Sequence, residues 1–272
     1  MTRRDFFRWG VRGLVAVLAA DAYFLEPKLI RFKEFDFMAR ENAATPIKII
    51  QLSDLHLREI DDVLHKLARR VNELKPDLIC FTGDAIDNAR YLSLLDRYLD
   101  LFDRDITKIA ILGNWEYWGR VNISELGSIY KQHGCQLLIN DCCLLFVKNK
   151  TILITGVDDF IGGNPDIKTA LQNFRDNDFH LVLNHCPQLN DFIIREKEGH
   201  PQMDLILSGH THGGQINLLG FIPILPPGSG KYIKGWYKES QPPVYVSPGI
   251  GTSLIPFRLG CRPEATVFNI NV

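Results

Sequence analysis

The stretch Leu205-Ile206-Leu207-Ser208-Gly209-His210-Thr211-His212-Gly213-Gly214-Gln215 reads as a buried strand that stops abruptly. Three apolar residues supply the strand, and the glycines that follow mark a sharp turn. The two imidazoles stand two residues apart, so in an extended segment both point to one rim. Imidazole suits zinc, manganese, iron or nickel, and neighbouring glycines let the backbone pass close to an ion. A solitary His-x-His is also an ordinary solvated turn, so the reading depends on whether other strands end in the same way.

Four do. Ile47-Lys48-Ile49-Ile50-Gln51-Leu52 runs into Ser53-Asp54-Leu55-His56, and Leu78-Ile79-Cys80-Phe81 into Thr82-Gly83-Asp84, with Asp87 beyond. Ile109-Ala110-Ile111-Leu112 leads to Gly113-Asn114-Trp115-Glu116, and Phe179-His180-Leu181-Val182-Leu183-Asn184 leads to His185. Taken singly, an Asp after a strand is a helix cap and an Asn after Gly is a turn. Five such endings in one chain are not explained by caps and turns. Open α/β sheets bind ligands at the carboxyl ends of their strands, so these ends are expected to meet in one cleft.

Between the strands, Val63, Leu64, Leu67, Val71 and Leu74 recur with a helical period over residues 60–74, and residues 89–102 and 123–133 read alike. The first half is thus β-α-β-α-β-α, which right-handed crossovers turn into a largely parallel sheet. The second half differs. Residues 144–147 and 151–155 flank Lys148-Asn149-Lys150 as an antiparallel hairpin, and residues 244–246 and 265–270 add short strands. Two packed mixed sheets with helices outside account for this order. No internal repeat or low-complexity segment interrupts it.

In order along the chain, Asp54-x-His56, Gly83-Asp84, Gly113-Asn114, His185 and Gly209-His210-x-His212 resemble the motifs of the calcineurin-like metallophosphoesterase superfamily, from about residue 47 to the C-terminus. That resemblance implies an α/β fold, a four-layer αββα sandwich of two mixed sheets. It implies two divalent ions, manganese, zinc or iron. One would be held by Asp54, His56, Asp84 and His212, and the other by Asp84, Asn114, His185 and His210. Asp84, Asn114 and His210 are the expected catalytic residues. A shared carboxylate is a natural bridge between ions roughly 3.5–4 Å apart, which can activate water and polarise a phosphoryl group.

The chain departs from the family in one place, where Trp115 replaces a His that in the family is thought to assist the leaving group or to hold a phosphoryl oxygen, without binding metal. An indole donates a hydrogen bond but carries no titrating proton, so metal binding should survive while general acid catalysis is lost. A good leaving group, or a donor such as His133 or His180, would cover the gap. Substrate contacts are expected from Trp115, Arg258 and Arg262, since arginine clamps phosphate in bidentate fashion. The expected reaction is hydrolysis of a phosphoester, most simply a phosphodiester. Two alternatives stand beside it: pyrophosphate hydrolysis in UDP-2,3-diacylglucosamine at the cytoplasmic face, and a metal and phosphate binder without turnover.

The 272 residues suffice for one well-cored domain with appendages, and a formal net charge of −1 argues against general nucleic-acid binding. A monomer is expected. Residues 1–22 begin Thr-Arg-Arg-Asp-Phe-Phe-Arg after the initiator Met, then carry a short apolar stretch over 14–20, and look like a twin-arginine export signal or membrane anchor. The twin-arginine machinery would then be a partner, and the periplasm, outer face of the inner membrane or cell wall the location. Residues 23–46 read as a linker and 47–272 as the catalytic domain. With the twin-arginine start, Glu26-Pro27 and the segment 249–264 resemble the YaeI/YkuE-type exported phosphodiesterases. Residues 218–227 are too proline-rich for a helix and read either as a covered core loop or as an apolar lip able to touch acyl chains or membrane. Six cysteines show no CxxC spacing; a disulfide would suit an oxidising compartment.

Overall fold

The computed structural model describes residues 2–38, 46–172, 174–195, 202–218 and 220–272. Helix α1, Arg3–Ala20, opens with a capping box in which Thr2 and Asp5 accept each other's backbone N–H. Short helical turns at Asp21–Leu25 and Glu26–Lys28 lead to β1, Arg31–Met38. This strand corrects the reading of 23–46 as a linker; residues 39–45 of that stretch lie outside those described. Its charges at Arg31, Lys33, Glu34 and Asp36 mask the pattern, because β1 is an edge strand with a solvated side. Phe35 and Phe37 nevertheless pack onto the core between the sheets.

The remaining elements follow in order: β2 Ile47–Leu52, α2 Asp62–Leu74, β3 Leu78–Thr82, α3 Leu92–Leu99, β4 Thr107–Ile111, α4 Asn114–Trp118, α5 Ile123–Gln132 and β5 Cys135–Leu137. Then come β6 Asp141–Val147, β7 Lys150–Gly156, α6 Ile167–Leu171, β8 Phe179–Leu183, α7 Asn190–Arg195, β9 Leu205–Ser208, β10 Gly235–Tyr237, β11 Val244–Val246 and β12 Glu264–Asn271. One sheet has the order β1-β12-β2-β3-β4-β5 and the other β10-β11-β9-β8-β7-β6. Both are mixed: β2 through β5 are parallel while β12 runs against β2, and β7, β8, β9 and β11 are parallel with β6 and β10 antiparallel at the edges. The hairpin read around residues 148–150 is present, with Lys148 and Asn149 both at positive φ, as a two-residue turn of the favoured hand demands.

Alternate residues of each strand face opposite ways, so each sheet fills two layers. Ile47, Ile49, Cys80 and Ile109 of one sheet meet Ile154, Leu181 and Leu207 of the other. The opposite parity, Ile50, Ile79, Phe81 and Ala110, packs under α2, α3 and α5, while Val182, Ile206 and Val244 pack under α6 and α7. The result is the four-layer αββα sandwich. Among the described residues no helix is long and apolar enough to cross a membrane. No disulfide joins the cysteines.

One buried group predicts a pH effect on this frame. His180 on β8 pairs through Nε2 with Thr155 Oγ1 at 2.8 Å, and burial holds its pKa down to about 4 from the ordinary 6.5. A pKa depressed on folding means that protonation favours the unfolded chain. The stability is complete above about pH 6.5 and is lost progressively as pH falls to 4, to a limit of about 3 kcal/mol. Urea midpoints of the parent and His180→Gln at pH 7 and 4.5 check this: the parent should lose more stability than the variant, and parallel losses would refute it.

Candidate metal centre

The carboxyl ends of β2, β3, β4, β8 and β9 meet at one edge of the sandwich, and each is followed within three residues by a buried polar side chain. The backbone there is unusual. Asp54, His56, Asp84, His210 and His212 have φ between 45° and 73°, the left-handed region that costs non-glycine residues on the order of 1 kcal/mol or more each. Neighbouring strand ends hold these turns: Asp54 N–H donates to Gly83 O at 3.1 Å, His56 N–H to Asp84 O at 3.0 Å, and Gly209 N–H to His185 O at 3.1 Å. The expectation that His210 and His212 share a rim from an extended segment is therefore corrected. The left-handed turns send them to different groups of ligands.

In one group, His56 Nε2 lies 3.0 Å from His212 Nε2, and the latter 3.4 Å from Asp54 Oδ1. In the other, His185 Nε2 lies 3.3 Å from His210 Nδ1 and 3.2 Å from Asp84 Oδ2. Asp84 Oδ2 is also 3.7 Å from His56 Nε2, so this carboxylate stands between the groups. Asn114 Oδ1 is buried with no hydrogen-bond partner. The structure thus brings together all seven residues read as ligands, none more than 4 % exposed.

Their hydrogen bonds show what the centre would accept. His185 Nδ1 lies 2.8 Å from Thr82 O and His210 Nε2 lies 2.6 Å from Pro227 O, so those nitrogens carry the hydrogens. His56 Nδ1 likewise donates to the Asp87 carboxylate. In the His185/His210 group the facing nitrogens are therefore both lone pairs, which repel at 3.3 Å unless a cation lies between them. In the other group Arg258 Nη2 donates to His212 Nδ1 at 3.2 Å, so His212 Nε2 carries the hydrogen and turns it to the His56 Nε2 lone pair. The electrostatics agree. Burial opposes the charging of His56 and His185, yet Asp87 and Asp84 outweigh it and raise both pKa values. Burial, with the charge of the facing ring, lowers His210 and His212. The carboxylates thus favour positive charge in this cluster, and with the orphaned Asn114 oxygen the donor set fits divalent metal.

Sequence reasoning missed the residues that hold these ligands. Glu116 accepts N–H bonds from Gly113 and Asp84 at Oε2 (2.9 and 3.1 Å) and from Ala85 and Ile86 at Oε1 (2.6 and 3.3 Å), which fixes the β3 and β4 turns to one another. Burial, and then the Asp84 charge, push its carboxyl up to about 7 against those donors. Its place directly after Asn114-Trp115 was the available signal. Gly209 is required by space, since a Cβ there would lie 1.9 Å from Ser53 Oγ and 2.5 Å from Asp54 Oδ2.

The residues read as substrate contacts are dispersed. Trp115 lies at the cleft, its ring edge-on to His56 at 6.2 Å, and its indole N–H donates to Ser253 Oγ at 3.1 Å. Arg258 corrects the expectation of a phosphate clamp. It is wholly buried and donates to Gly251 O and Cys261 O, with Nη2 3.2 Å from His212 Nδ1. Arg262 is exposed and lines a separate depression with Glu26, Arg31 and Lys33. His133 turns to Asp96 and Asp100, and His180 to Thr155, so neither covers for the missing histidine. Cys186 lies beside His185 and His210, but burial and Asp159, which accepts its S–H, keep the thiol protonated and a poor ligand.

The sequence model of the calcineurin-like phosphoesterase family matches residues 47–214. The metallophosphoesterase YkuE of Bacillus subtilis is 32% identical over 99% of this chain and 98% of its own length. The phosphodiesterase YaeI of Escherichia coli is 30% identical over 91% of each. Among solved structures, TT1561 of Thermus thermophilus aligns with a TM-score of 0.49 at 14% identity, covering 76% of this chain and 91% of that one. A family match over most of the chain, with a relative aligned along nearly its whole length, leaves one conclusion: the chain belongs to the calcineurin-like phosphoesterases, a family of metal-dependent hydrolases of phosphoesters.

Proposed function

We propose that this chain is a two-metal phosphodiesterase of the cell envelope. The observation that carries the reading is the pair of imidazole and carboxylate groups that meet around Asp84, with the His185 and His210 lone pairs turned to one another and the Asn114 oxygen left without a partner. Asp54, His56 and His212 would hold one ion, Asn114, His185 and His210 the other, with Asp84 common to both. Bound divalent ions supply Lewis acidity to the phosphoryl group and to water. The chain's residues do the rest. Thr82 O, Asp87 and Pro227 O fix the ring orientations in advance, and Glu116 keeps the turn that carries Asp84 in register with the turn that carries Asn114. No lysine or arginine is among the residues lining the cleft, so it suits a singly charged diester better than a doubly charged monoester.

Trp115 offers no proton, and its N–H is engaged by Ser253. The scissile P–O bond must then break with the leaving oxygen unprotonated by the chain. The rate is expected to fall steeply as leaving-group pKa rises. Trp115→His should flatten that dependence, raising kcat for an alkyl leaving group by about 10-fold or more while changing p-nitrophenyl release little. Equal slopes in parent and variant would remove this role for position 115.

Hydrolysis of bis-p-nitrophenyl phosphate and p-nitrophenyl phosphate, with metal content measured per chain, tests the whole reading. Two ions per chain and preference for the diester are expected. A fully loaded protein that turns over neither ester would be a binder instead. The envelope location rests on Arg3-Arg4 and on the exposed Phe6, Phe7 and Trp9 of α1. A reporter fused to the C-terminus should be active outside the cytoplasm, and a cytoplasmic signal would sink it.

A further inference from the structure

Residues 223–227 and 253–255 form walls of a cleft of about 470 Å³ that begins at Asp84, Asn114, His210 and His212. Away from the ligands its lining turns apolar, with Trp115, Trp118, Pro223, Ile224, Leu254 and Ile255. Of the two readings of the proline-rich stretch, the structure selects the lip: Phe221 is 67 % exposed and Ile224 75 %. Leu219 lies outside the described residues. Such exposure of large apolar side chains beside a polar centre marks a binding surface.

Two features show that this wall is built for the centre rather than left over beside it. Pro227 accepts the His210 Nε2 hydrogen, so the wall is fastened to a ligand. On the opposite side, Leu254 is 80 % exposed with φ of 56°, a backbone conformation that disfavours leucine. It is held there by the Gln215 side chain, which accepts the Ser253 N–H at 3.0 Å and donates to Ile255 O at 2.8 Å, and by the Trp115 indole on Ser253. A buried glutamine clamps the loop in a form that presents a leucine to the cleft mouth. Trp115 is itself part of the apolar wall.

We propose that the substrate is an amphiphilic phosphodiester, with its phosphoryl group at the metal centre and its own alkyl or acyl chain lying along this channel. The proposal rests on the phosphodiesterase reading of the site and names its substrate class. The continuity of the channel with the ligands identifies the occupant, because whatever fills it carries a phosphoryl group at one end. Hydrolysis then breaks one P–O bond of the diester, water supplying the oxygen to phosphorus and the hydrogen to the departing alcohol.

The test uses the full chain with manganese or zinc bound. Octyl phosphate and methyl phosphate, below the micellar concentration, are titrated without requiring turnover by tryptophan emission in the full chain and in Trp9→Phe/Trp236→Phe, which leaves Trp115 and Trp118 as the emitters at the cleft. Burial of methylenes is worth on the order of tenfold in affinity for every two that enter, so octyl phosphate should bind about 100-fold more tightly if four enter. The same order should appear in kcat/KM for octyl over methyl p-nitrophenyl phosphate. Leu254→Asp combined with Ile224→Asp should collapse both ratios towards 1. Equal binding of the two phosphates with diester hydrolysis intact overturns the channel and leaves the phosphodiesterase. Octyl-selective binding without turnover of any diester supports the channel and overturns the phosphodiesterase. A concentration-dependent emission shift without added phosphate, matched by dimerisation in sedimentation, would assign the lip to a second copy and overturn the proposal.

Discussion

Asp84→Ala is expected to lower kcat/KM for a chromogenic diester by at least about 10³-fold and to cost the protein bound metal. The carboxylate is shared: Oδ2 faces both His185 and His56, and Oδ1 accepts the Trp115 N–H at 2.9 Å. Removal would deprive both proposed sites of a ligand, and losing the several kcal/mol of transition-state stabilisation that such ions would supply corresponds to a factor of this size. The buried His185 would also lose the charge that chiefly raises its pKa. Asp84→Asn separates folding from metal binding. It keeps the shape and the acceptor for Trp115, and it removes one of three neighbouring buried carboxylates, Asp54, Asp84 and Glu116. Against burial, the charge and hydrogen bond of His185 hold the Asp84 pKa below its ordinary value, so this charge supports the metal-free fold. The variant should be somewhat less stable than the parent, yet still fold and lose about 10²-fold or more in activity. An Asn variant with undiminished metal content and turnover would show that Asp84 is not the bridge.

Arg258→Ala should act on stability first. Nε and Nη2 bind the half-buried Gly251 O and Nη1 binds the buried Cys261 O. Alanine would strand the Cys261 carbonyl, at about 1–3 kcal/mol, loosen the Gly251 carbonyl and leave a cavity. A loss of about 3 kcal/mol, or about 6–12 °C in Tm for a chain of this size, is the expected result. The guanidinium also donates to His212 Nδ1 and, after burial and the His56 charge, helps to keep that ring unprotonated. Lysine offers no planar fork and should not rescue the protein. A substrate clamp would behave otherwise, raising KM in a protein of unchanged Tm; that outcome would restore the reading made from sequence.

Arg258 and β1 show where sequence reasoning stops. Strand endings, helical periods and the hairpin at Lys148-Asn149 are properties of near neighbours, and apolar alternation with turn chemistry announces them without knowledge of the fold. The seven candidate ligands were legible as metal-capable side chains after apolar runs at strand ends, and the family resemblance singled them out. The edge strand β1 was not, because charges on its solvated side dilute the alternation by which strands are recognised.

What the sequence by itself determined was the layer order of the sandwich and the list of ligand residues. Their division into two groups was implied by the family resemblance; tertiary structure alone decided the backbone that separates them and what stands behind them. His56 meets His212 across 156 positions of chain and Trp115 meets Ser253 across 138, contacts that no local pattern encodes. The two histidines of one short turn separate because left-handed backbone at both, held by other strand ends, overrides the two-residue alternation of an extended chain. Arg258 has the same side chain whether it lies in water or under a fold. Segments distant in sequence closed over it, and burial turned a plausible phosphate clamp into a support for His212.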